Sequence, residues 1–256
     1  MKHTPRKRFG QNFLKDQSVI EAIIMAIAPG KTDLVVEIGP GTGALTQLLL
    51  RTLPRLHVIE LDRDLVEKLE KAYPADKLII HQGDVLQFDF TKIVARTDQK
   101  LRIVGNLPYN ISTPLLFHLM PLAKQVHDQH FMLQKEVVER MVAEPGSKAY
   151  GRLSVMLQWQ YHMDMLFIVP PTAFIPQPKV DSAIVRMIPR PQPEKCDAKK
   201  LEKTVTQAFS QRRKILRNTL APLFSENDLI DAGIDPARRP EEIPVEQFIS
   251  LANRLP

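Results

Sequence analysis

Short apolar runs alternate with amphipathic segments along the first two-thirds of the chain. The runs have the length and composition of buried strands, and they occupy residues 34–38, 56–61, 78–80 and 101–104. A helical pattern follows the first of them, from about Ala44 to Arg51. Further strands are predicted near 130–134, 154–162 and 183–188, the last two as an antiparallel pair at one edge. Because strands alternate with helices, the pattern predicts an α/β fold with a mostly parallel sheet.

The two ends of the chain read as helical. Ser18-x-x-Glu21 predicts a capping box that opens an amphipathic helix, which Pro29-Gly30 closes. Residues 189–195 are rich in proline and predict a stiff linker. Beyond the linker the pattern is helical only, with one apolar stripe formed by Leu201, Val205, Ala208, Phe209, Leu216 and Leu220. We therefore expect two domains, residues 1–189 with the sheet and residues 190–256 as a small all-α domain.

Charge changes this picture by indicating an anionic partner. The 256 residues carry a net charge of +6, and the excess is uneven. Residues 1–15 include Arg6, Lys7 and Arg8 and no carboxylate, and residues 195–217 hold eight Lys or Arg against two acidic residues. Two basic segments at opposite ends of the sequence can grip a polyanion such as nucleic acid. A solvated basic face that serves only solubility is the alternative.

Several classes of protein are disfavoured by composition. A single cysteine, Cys196, allows no intramolecular disulfide and fits a reducing compartment. The seven histidines have no metal-ligand spacing, so no metal site is expected. Nowhere do 18 apolar residues run together, and the amino terminus has no apolar run, so we expect neither a membrane span nor a secretory signal. The cytoplasm is the expected location.

The strand at 34–38 leads into a glycine-rich turn with Gly39, Gly41 and Gly43, and a helix follows. Glycines allow the backbone to pass close to a ligand where any Cβ would collide. The spacing G-x-G-x-G differs from the dinucleotide pattern, and no Lys-Ser/Thr follows as in a phosphate-binding P-loop. A ligand without phosphates fits better, and S-adenosylmethionine is such a ligand.

Two carboxylates follow the next strands and fit the same ligand. Glu60 ends the second strand, 17 residues after Gly43, where it can accept hydrogen bonds from both ribose hydroxyls. Asp84 follows the third strand and can accept from an adenine amine. Either residue alone is equally well explained as a strand-end carboxylate that faces water. Their order along the chain with the glycine loop and Asn106 favours a nucleoside site.

Asn106-Leu107-Pro108-Tyr109 follows the fourth strand, at the sheet edge where ligands of α/β folds bind. The exocyclic amine of adenine is a poor nucleophile, because its lone pair is delocalised into the ring. The Asn106 side-chain oxygen and the Leu107 carbonyl can accept its two N–H bonds and favour a tetrahedral nitrogen. Pro108 stiffens the turn, and Tyr109 offers a flat face for a base. A strand-to-helix turn with an Asn cap is the structural alternative.

The chain as a whole resembles class I methyltransferases, and more closely the ribosomal RNA adenine dimethyltransferase family. The likeness runs nearly from end to end and lies in residues 6–14, 37–43, 106–109, 170–182 and 209–214. The resemblance implies a Rossmann-like sheet domain, and it implies that Asn12 and Leu14 contact the methyl donor. It also implies that Phe174 packs on the target base. The residues expected to contact RNA are Arg6, Lys7, Arg8, Arg212, Arg213, Lys214 and Arg217.

The resulting prediction is an enzyme that methylates N6 of adenine in RNA with S-adenosylmethionine as donor. The housekeeping members of the family dimethylate two adjacent adenines near the 3′ end of small-subunit (16S) ribosomal RNA, so the small ribosomal subunit is the expected partner. We expect a monomer. Asn106 and the Leu107 carbonyl would hold the amine, with Tyr109 and Phe174 clamping the base. Phe131 either completes the pocket or belongs to the core.

Three rival functions stay open at this point. The sister enzymes that methylate large-subunit ribosomal RNA share these motifs and differ only in their target. A DNA adenine methyltransferase shares the logic of the tetrapeptide, although the basic helices and residues 9–14 disfavour it. A non-catalytic factor in ribosome assembly or nucleic-acid binding would not need the intact donor loop, and an assembly role alongside catalysis is compatible with the sequence.

Overall fold

The structure is a computed structural model that describes residues 10–94, 99–211 and 213–256. A sheet of seven strands forms its centre within this part of the chain. The strands, in chain order, are β2 (Leu34–Ile38), β3 (Leu56–Glu60), β4 (Leu78–Gln82), β5 (Leu101–Asn106), β6 (Val126–Gln134), β7 (Tyr161–Val169) and β9 (Ser182–Pro189). Their spatial order is β4-β3-β2-β5-β6-β9-β7. Two shorter strands, β1 (Phe13–Leu14) and β8 (Phe174–Ile175), form a separate antiparallel pair.

Strand direction determines what the sheet can position. The pairs β3–β4, β2–β3, β2–β5 and β5–β6 are parallel, whereas β6–β9 is antiparallel. The carboxyl ends of β2 through β6 therefore lie at one edge. The antiparallel β9 brings its first residue, Ser182, to that same edge opposite Gln134. A mostly parallel sheet is as predicted.

The helices in chain order are α1 (Gln17–Ile27), α2 (Ala44–Thr52), α3 (Arg63–Ala72), α4 (Thr91–Val94), α5 (Ser112–Leu119), α6 (Lys135–Met141), α7 (Arg152–Gln160), α8 (Ala198–Ala208), α9 (Leu216–Leu220), α10 (Glu226–Asp231) and α11 (Val245–Ala252). The predicted capping box at Ser18 is wrong. Asp16 is the cap, because its carboxylate accepts from the backbone N–H groups of Ser18 and Val19, and Ser18 already lies in the first turn.

The strand predicted at 154–162 is also wrong. Those residues lie mostly in α7, and the edge strand β7 begins only at Tyr161. Nearly every side chain of α7 is buried, including Val155 and Leu157. An element that is buried on all sides shows neither helical nor strand periodicity, so a short apolar run of this kind fits both. The predicted neighbour relation between the last two strands does hold for β7 and β9.

The chain divides into two compact units. The first comprises residues 1–138 and 164–189, and the second comprises residues 139–163 and 190–256. Residue 189 ends the first unit where the proline-rich linker was predicted. Residues 139–163, which the sequence placed in the first domain, belong to the second unit, where α7 packs against α8 and α11.

The second unit has its own apolar core. The predicted stripe is confirmed, since Leu201, Val205, Ala208, Leu216 and Leu220 are fully buried, while Phe209 is half-buried. Tyr150, Phe209 and Phe248 form an aromatic cluster in this core. No helix among the described residues is long and apolar enough to span a membrane. The same residues contain no group of His, Cys, Asp and Glu side chains arranged to hold a metal ion.

Candidate active site

A cavity lies at the carboxyl edge of the parallel strands in the first unit. The segments that follow β2, β3, β4 and β5 line it together with residues 10–14. Most of the predicted site residues meet there. They are Asn12, Leu14, Gly39, Gly41, Glu60, Asp84, Asn106, Leu107, Pro108 and Tyr109. Gly43 lies just beyond the lining, as the first residue before α2.

The glycine loop turns sharply under the cavity. Gly39, Gly41 and Gly43 all have positive φ, at 65°, 58° and 86°, a conformation that costs side-chain-bearing residues free energy. At Gly41 a Cβ would also stand 3.1 Å from the ring of Phe13, which lines the cavity. The loop therefore favours glycine at these positions because of the positive φ, and at Gly41 also because the Phe13 ring lies so close.

Two backbone N–H groups hold the carboxylate of Glu60 in the cavity lining. One of its oxygens accepts from the N–H of Gly41 at 3.2 Å and the other from the N–H of Asp62 at 2.9 Å. Only 7% of the residue is exposed, and burial raises the pKa of its carboxyl. Each carboxylate oxygen has a second lone pair, so Glu60 can still accept from two ligand hydroxyls.

Glu37 is a second buried carboxyl in the cavity lining, and the sequence did not single it out. It is 2% exposed, and Thr46 Oγ1 donates to its Oε2 at 2.6 Å. Burial raises its pKa to about 7. Its place near the end of β2, two residues before Gly39, was the available signal. A single carboxyl inside a strand, with no other candidate site residue at a matching spacing, is equally well explained by a structural role, so this signal was weak.

Asp84 also stands at the cavity but serves the local backbone as well. It caps the turn that follows β4, with Oδ1 accepting from the N–H of Leu86 at 2.9 Å. Asp84 is only partly buried and lines the cavity. The predicted role as an acceptor is compatible with this geometry.

The tetrapeptide Asn106–Tyr109 forms the turn after β5, beside the glycine loop. Gly105 precedes it, and a Cβ there would meet the Ile38 carbonyl oxygen at 2.5 Å, so β5 can approach β2 this closely only with glycine. Asn106 Nδ2 donates to the Asn12 carbonyl at 3.0 Å. Because that bond uses the amide as a donor, Asn106 Oδ1 is left for acceptance. The Leu107 N–H donates to the Met132 carbonyl and ties the turn to β6.

Tyr109 is anchored at its far end. Its hydroxyl lies 2.7 Å from the hydroxyl of Ser182, and burial raises its pKa. The ring is half-buried and lines the cavity. Tyr109 therefore forms part of the cavity wall.

Phe174 is not among the residues that line the cavity, and its expected packing on the target base stays a prediction. It is 1% exposed and packs in the apolar core with Leu14, Ala173 and Ile184. At this exposure neither face of the ring is open to a base in this conformation. Burial of a large aromatic side chain stabilises this arrangement. Phe131 is fully buried in β6, so of its two alternatives the core is the one realised.

Residues 10–14 line the cavity and are hydrogen-bonded to several other segments of the chain. Gln11 Nε2 donates to Asp62 Oδ2 at 3.0 Å, the Asn12 carbonyl accepts from Asn106, and β1 pairs with β8. The predicted RNA contacts Arg6, Lys7, Arg8 and Arg212 lie outside the described residues. Arg213, Lys214 and Arg217 are exposed in the second unit.

Comparison with known proteins shows the family of the chain. The family model described as ribosomal RNA adenine dimethylase matches residues 2–256. The chain is 65% identical over 255 residues to the Ribosomal RNA small subunit methyltransferase A of Janthinobacterium sp. (strain Marseille), with 100% of both chains covered. The protein of the same name from Herminiimonas arsenicoxydans is 66% identical, again with 100% of both chains covered.

Solved structures confirm the fold. A dimethyladenosine transferase from Plasmodium falciparum has a TM-score of 0.82 at 25% identity, covering 93% of this chain and 95% of its own. The 23S rRNA methyltransferase ErmE has a TM-score of 0.73 at 24% identity, covering 95% and 99%, and shows likeness of fold alone. The α/β class I methyltransferase fold is thereby confirmed, and the chain belongs to the ribosomal RNA adenine dimethylase family.

Proposed function

We propose that the protein transfers methyl groups from S-adenosylmethionine to N6 of two adjacent adenines near the 3′ end of small-subunit ribosomal RNA, giving N6,N6-dimethyladenosine. The observation that carries the proposal is the Asn106 amide at the cavity. Its nitrogen is bonded to the Asn12 carbonyl, which leaves its oxygen as an acceptor for an amine. Full-length relatives at 65% and 66% identity bear the name Ribosomal RNA small subunit methyltransferase A.

The cavity suits S-adenosylmethionine by its donor and acceptor groups. Glu60 would accept from the ribose hydroxyls, and Asp84 from the adenine amine of the donor. Apolar walls from Leu14, Leu61 and Val85 fit the flat base and the carbon chain of the donor. The donor is a cation at sulfur, and the buried carboxyl of Glu37 supplies compensating negative charge when it ionises. Asn12 and the glycine loop would complete the contacts.

The methyl transfer is a direct displacement. S-Adenosylmethionine would supply the methyl group: its methyl carbon would bond to the N6 lone pair of adenine, the electron pair of the broken carbon–sulfur bond would stay on sulfur, and the surplus proton would leave to water. A sulfonium carbon is already strongly electrophilic, so the reaction needs positioning more than a strong base or a metal. Asn106 Oδ1 and the Leu107 carbonyl would accept from the amine as it becomes tetrahedral. Tyr109 would stack on the base, and Pro108 would hold the turn.

RNA binding is assigned to the basic segments at the two ends of the chain. Arg213, Lys214 and Arg217 are exposed cations that phosphates can reach. Arg6, Lys7, Arg8 and Arg212 are proposed to act with them because they continue the same basic segments of the sequence. We propose that the protein works on the small ribosomal subunit as a cytoplasmic monomer, with a part in assembly of that subunit.

One experiment tests the proposal against its rivals. The protein is incubated with donor labelled in the methyl group and, in parallel, with unmethylated small subunits, large subunits and DNA. Nuclease digestion then locates the label. We expect two dimethylated adenines in the small-subunit RNA. Label in large subunits or DNA would identify the corresponding rival enzyme, and binding of small subunits without any label would identify a non-catalytic factor.

A further inference from the structure

Tyr109 is fixed at both ends, and only one of the two anchors belongs to the catalytic tetrapeptide. Its backbone lies in the turn that Pro108 stiffens, where the Pro108 carbonyl accepts from the N–H of Ile111. Its hydroxyl reaches away from the turn to Ser182, at 2.7 Å. A tyrosine ring that is held only at Cα still rotates about χ1 and broadly about χ2. The second anchor removes this freedom.

Ser182 is well placed to be a rigid anchor. It is the first residue of β9 and is fully buried. It pairs with Gln134 at the end of β6, and the next contact outward is the bond from the Lys135 N–H to the Asp181 carbonyl. Ser182 thus belongs to the terminal pair of the ladder between two strands that each have neighbours on both sides. A hydroxyl attached there moves less than one on a surface loop.

The bond also determines which part of Tyr109 faces the cavity. Since the hydroxyl is bonded to a buried partner, the ring rather than the polar end is the part of Tyr109 that is available to the cavity. The face is what a base can stack on. Small errors in the angle between the stacked base and the methyl donor lower the rate of an in-line transfer strongly.

We propose that Ser182 is a positioning residue of the methyl-transfer site, whose hydroxyl fixes the plane of the Tyr109 ring on which the target adenine stacks. This inference rests on the proposed function, because a stacked adenine is part of it. Ser182 touches neither donor nor base in this scheme. It acts through Tyr109, and so the two residues behave as one unit in catalysis.

A double-mutant cycle tests the unit, with Tyr109→Phe, Ser182→Ala and the two combined. Methylation kinetics on unmethylated small subunits give kcat and KM for each variant. Each single change should lower kcat about three- to tenfold, the size expected for one lost hydrogen bond, with the KM for subunits changed by less than about twofold. The double variant should fall no further than either single one, because both remove the same bond. Ser182→Thr keeps the hydroxyl and should recover most of kcat.

Two matched variants remove buried hydroxyl bonds from the second unit. Tyr150→Phe breaks the bond from its hydroxyl to the Ile243 carbonyl, and Ser154→Ala breaks the bond to the Arg140 carbonyl. They should lower thermal stability while kcat per folded molecule stays at the wild-type value. If Ser182→Ala behaved like them, Ser182 would be merely structural.

The outcomes separate this inference from the proposed function. Additive losses in the cycle, on a wild-type protein that labels small subunits, would overturn the positioning role alone. If Ser182→Ala folds poorly, the comparison of Tyr109→Phe with wild type still decides, since an unchanged kcat there would also overturn it. A wild-type protein that labels no small subunits would overturn the proposed function, and with it the inference.

Discussion

The cavity of the first unit and the exposed cations Arg213, Lys214 and Arg217 of the second unit, here called the basic face, differ in how firmly their polar groups are held. In the cavity the polar groups are at least partly buried and are already hydrogen-bonded, as Glu60 is to two backbone N–H groups and Asn106 to the Asn12 carbonyl. On the basic face Arg213 and Lys214 are exposed, and Arg217 has Glu226 only at 4.0 Å with both side chains half exposed.

The difference matches what each region has to do. Stabilising a transition state requires groups whose orientation costs nothing at the moment of reaction, and buried bonds provide such groups. Holding a polyanion requires charge near phosphates, which long side chains supply without fixed geometry. Changes in the cavity should therefore alter chemistry or donor binding in large steps. Changes on the basic face should alter RNA affinity gradually and in a salt-dependent way.

The largest effect is expected for Asn106→Ala. Loss of one preorganised acceptor should lower turnover on the order of a hundred- to a thousandfold. Binding of donor and small subunits should stay within a few-fold of wild type, because the Pro108 turn and the Tyr109 ring remain. Single-turnover methylation together with equilibrium binding measures both. A variant that methylates normally, or that loses RNA binding outright, would contradict the assigned role.

Glu37→Gln should change how stability depends on pH. The folded pKa of about 7 lies above the ordinary value of 4.5, so the stability that the protonated group contributes is complete below about pH 4.5 and is lost as pH rises through 7. That difference corresponds to roughly 3 kcal/mol. Glutamine does not ionise, so the variant should gain stability over wild type by about this amount near pH 8 and little near pH 5.

Denaturant unfolding at a series of pH values measures this change. Glu67→Gln is the matched control, because Glu67 is exposed in α3, where its contact is Lys71 one turn away at 3.9 Å. The control should follow the wild-type pH profile. Parallel profiles for wild type and Glu37→Gln would mean that Glu37 is ionised in the folded protein throughout the range.

Glu60→Gln should weaken donor binding about ten- to a hundredfold, since a charge-assisted hydrogen bond contributes roughly 1.5–3 kcal/mol. Glutamine keeps the shape but replaces one acceptor oxygen by a donor. Calorimetry with S-adenosylmethionine measures the affinity, and Glu70→Gln, an exposed residue of α3, serves as control. An affinity equal to wild type would mean that the ribose lies elsewhere.

The smallest effect at any one salt concentration is expected on the basic face. Replacing Arg213, Lys214 and Arg217 together by alanine should flatten the log–log dependence of RNA affinity on salt by about two units, at roughly 0.7 per phosphate contact. Turnover at saturating substrate should not change. Replacing Lys68, Lys71 and Lys77, exposed cations of the first unit, removes the same charge and should leave the slope near that of wild type. If both triple variants showed the same dependence of RNA affinity on salt, Arg213, Lys214 and Arg217 would be exposed to solvent without contacting RNA.

The sequence predicted backbone features of the site better than side-chain orientations. Gly39 and Gly41 were assigned correctly to a tight turn, since glycine adopts without strain the positive φ that the structure has there. Strand ends placed Glu60 and Asn106 at one edge, because parallel strands leave little choice. These inferences depend on local geometry, which residue type and spacing encode directly.

Side-chain orientation depends on packing that no local pattern reveals. Phe174 and Ile175 are neighbours in β8, and the structure turns Phe174 into the core and leaves Ile175 exposed. A two-residue strand has no periodicity from which to choose between these directions. No local pattern indicates Ser182 either, because its role depends on Tyr109, 73 residues earlier. The strand predicted at 154–162 failed where burial on all sides of α7 removed the periodic signal.

The second unit is assembled from two stretches of chain with residues 164–189 of the first unit between them. Its earlier stretch carries α7 and Tyr150, whose hydroxyl bonds to a carbonyl 93 residues later, at Ile243. During synthesis the core of the second unit therefore cannot form until the end of the chain has been made. Residues 190–256 expressed alone would leave the α7-facing side of α8 and α11 uncovered. The unit cannot be exchanged between proteins as a simple tail, and any chimera must carry residues 139–163 with it.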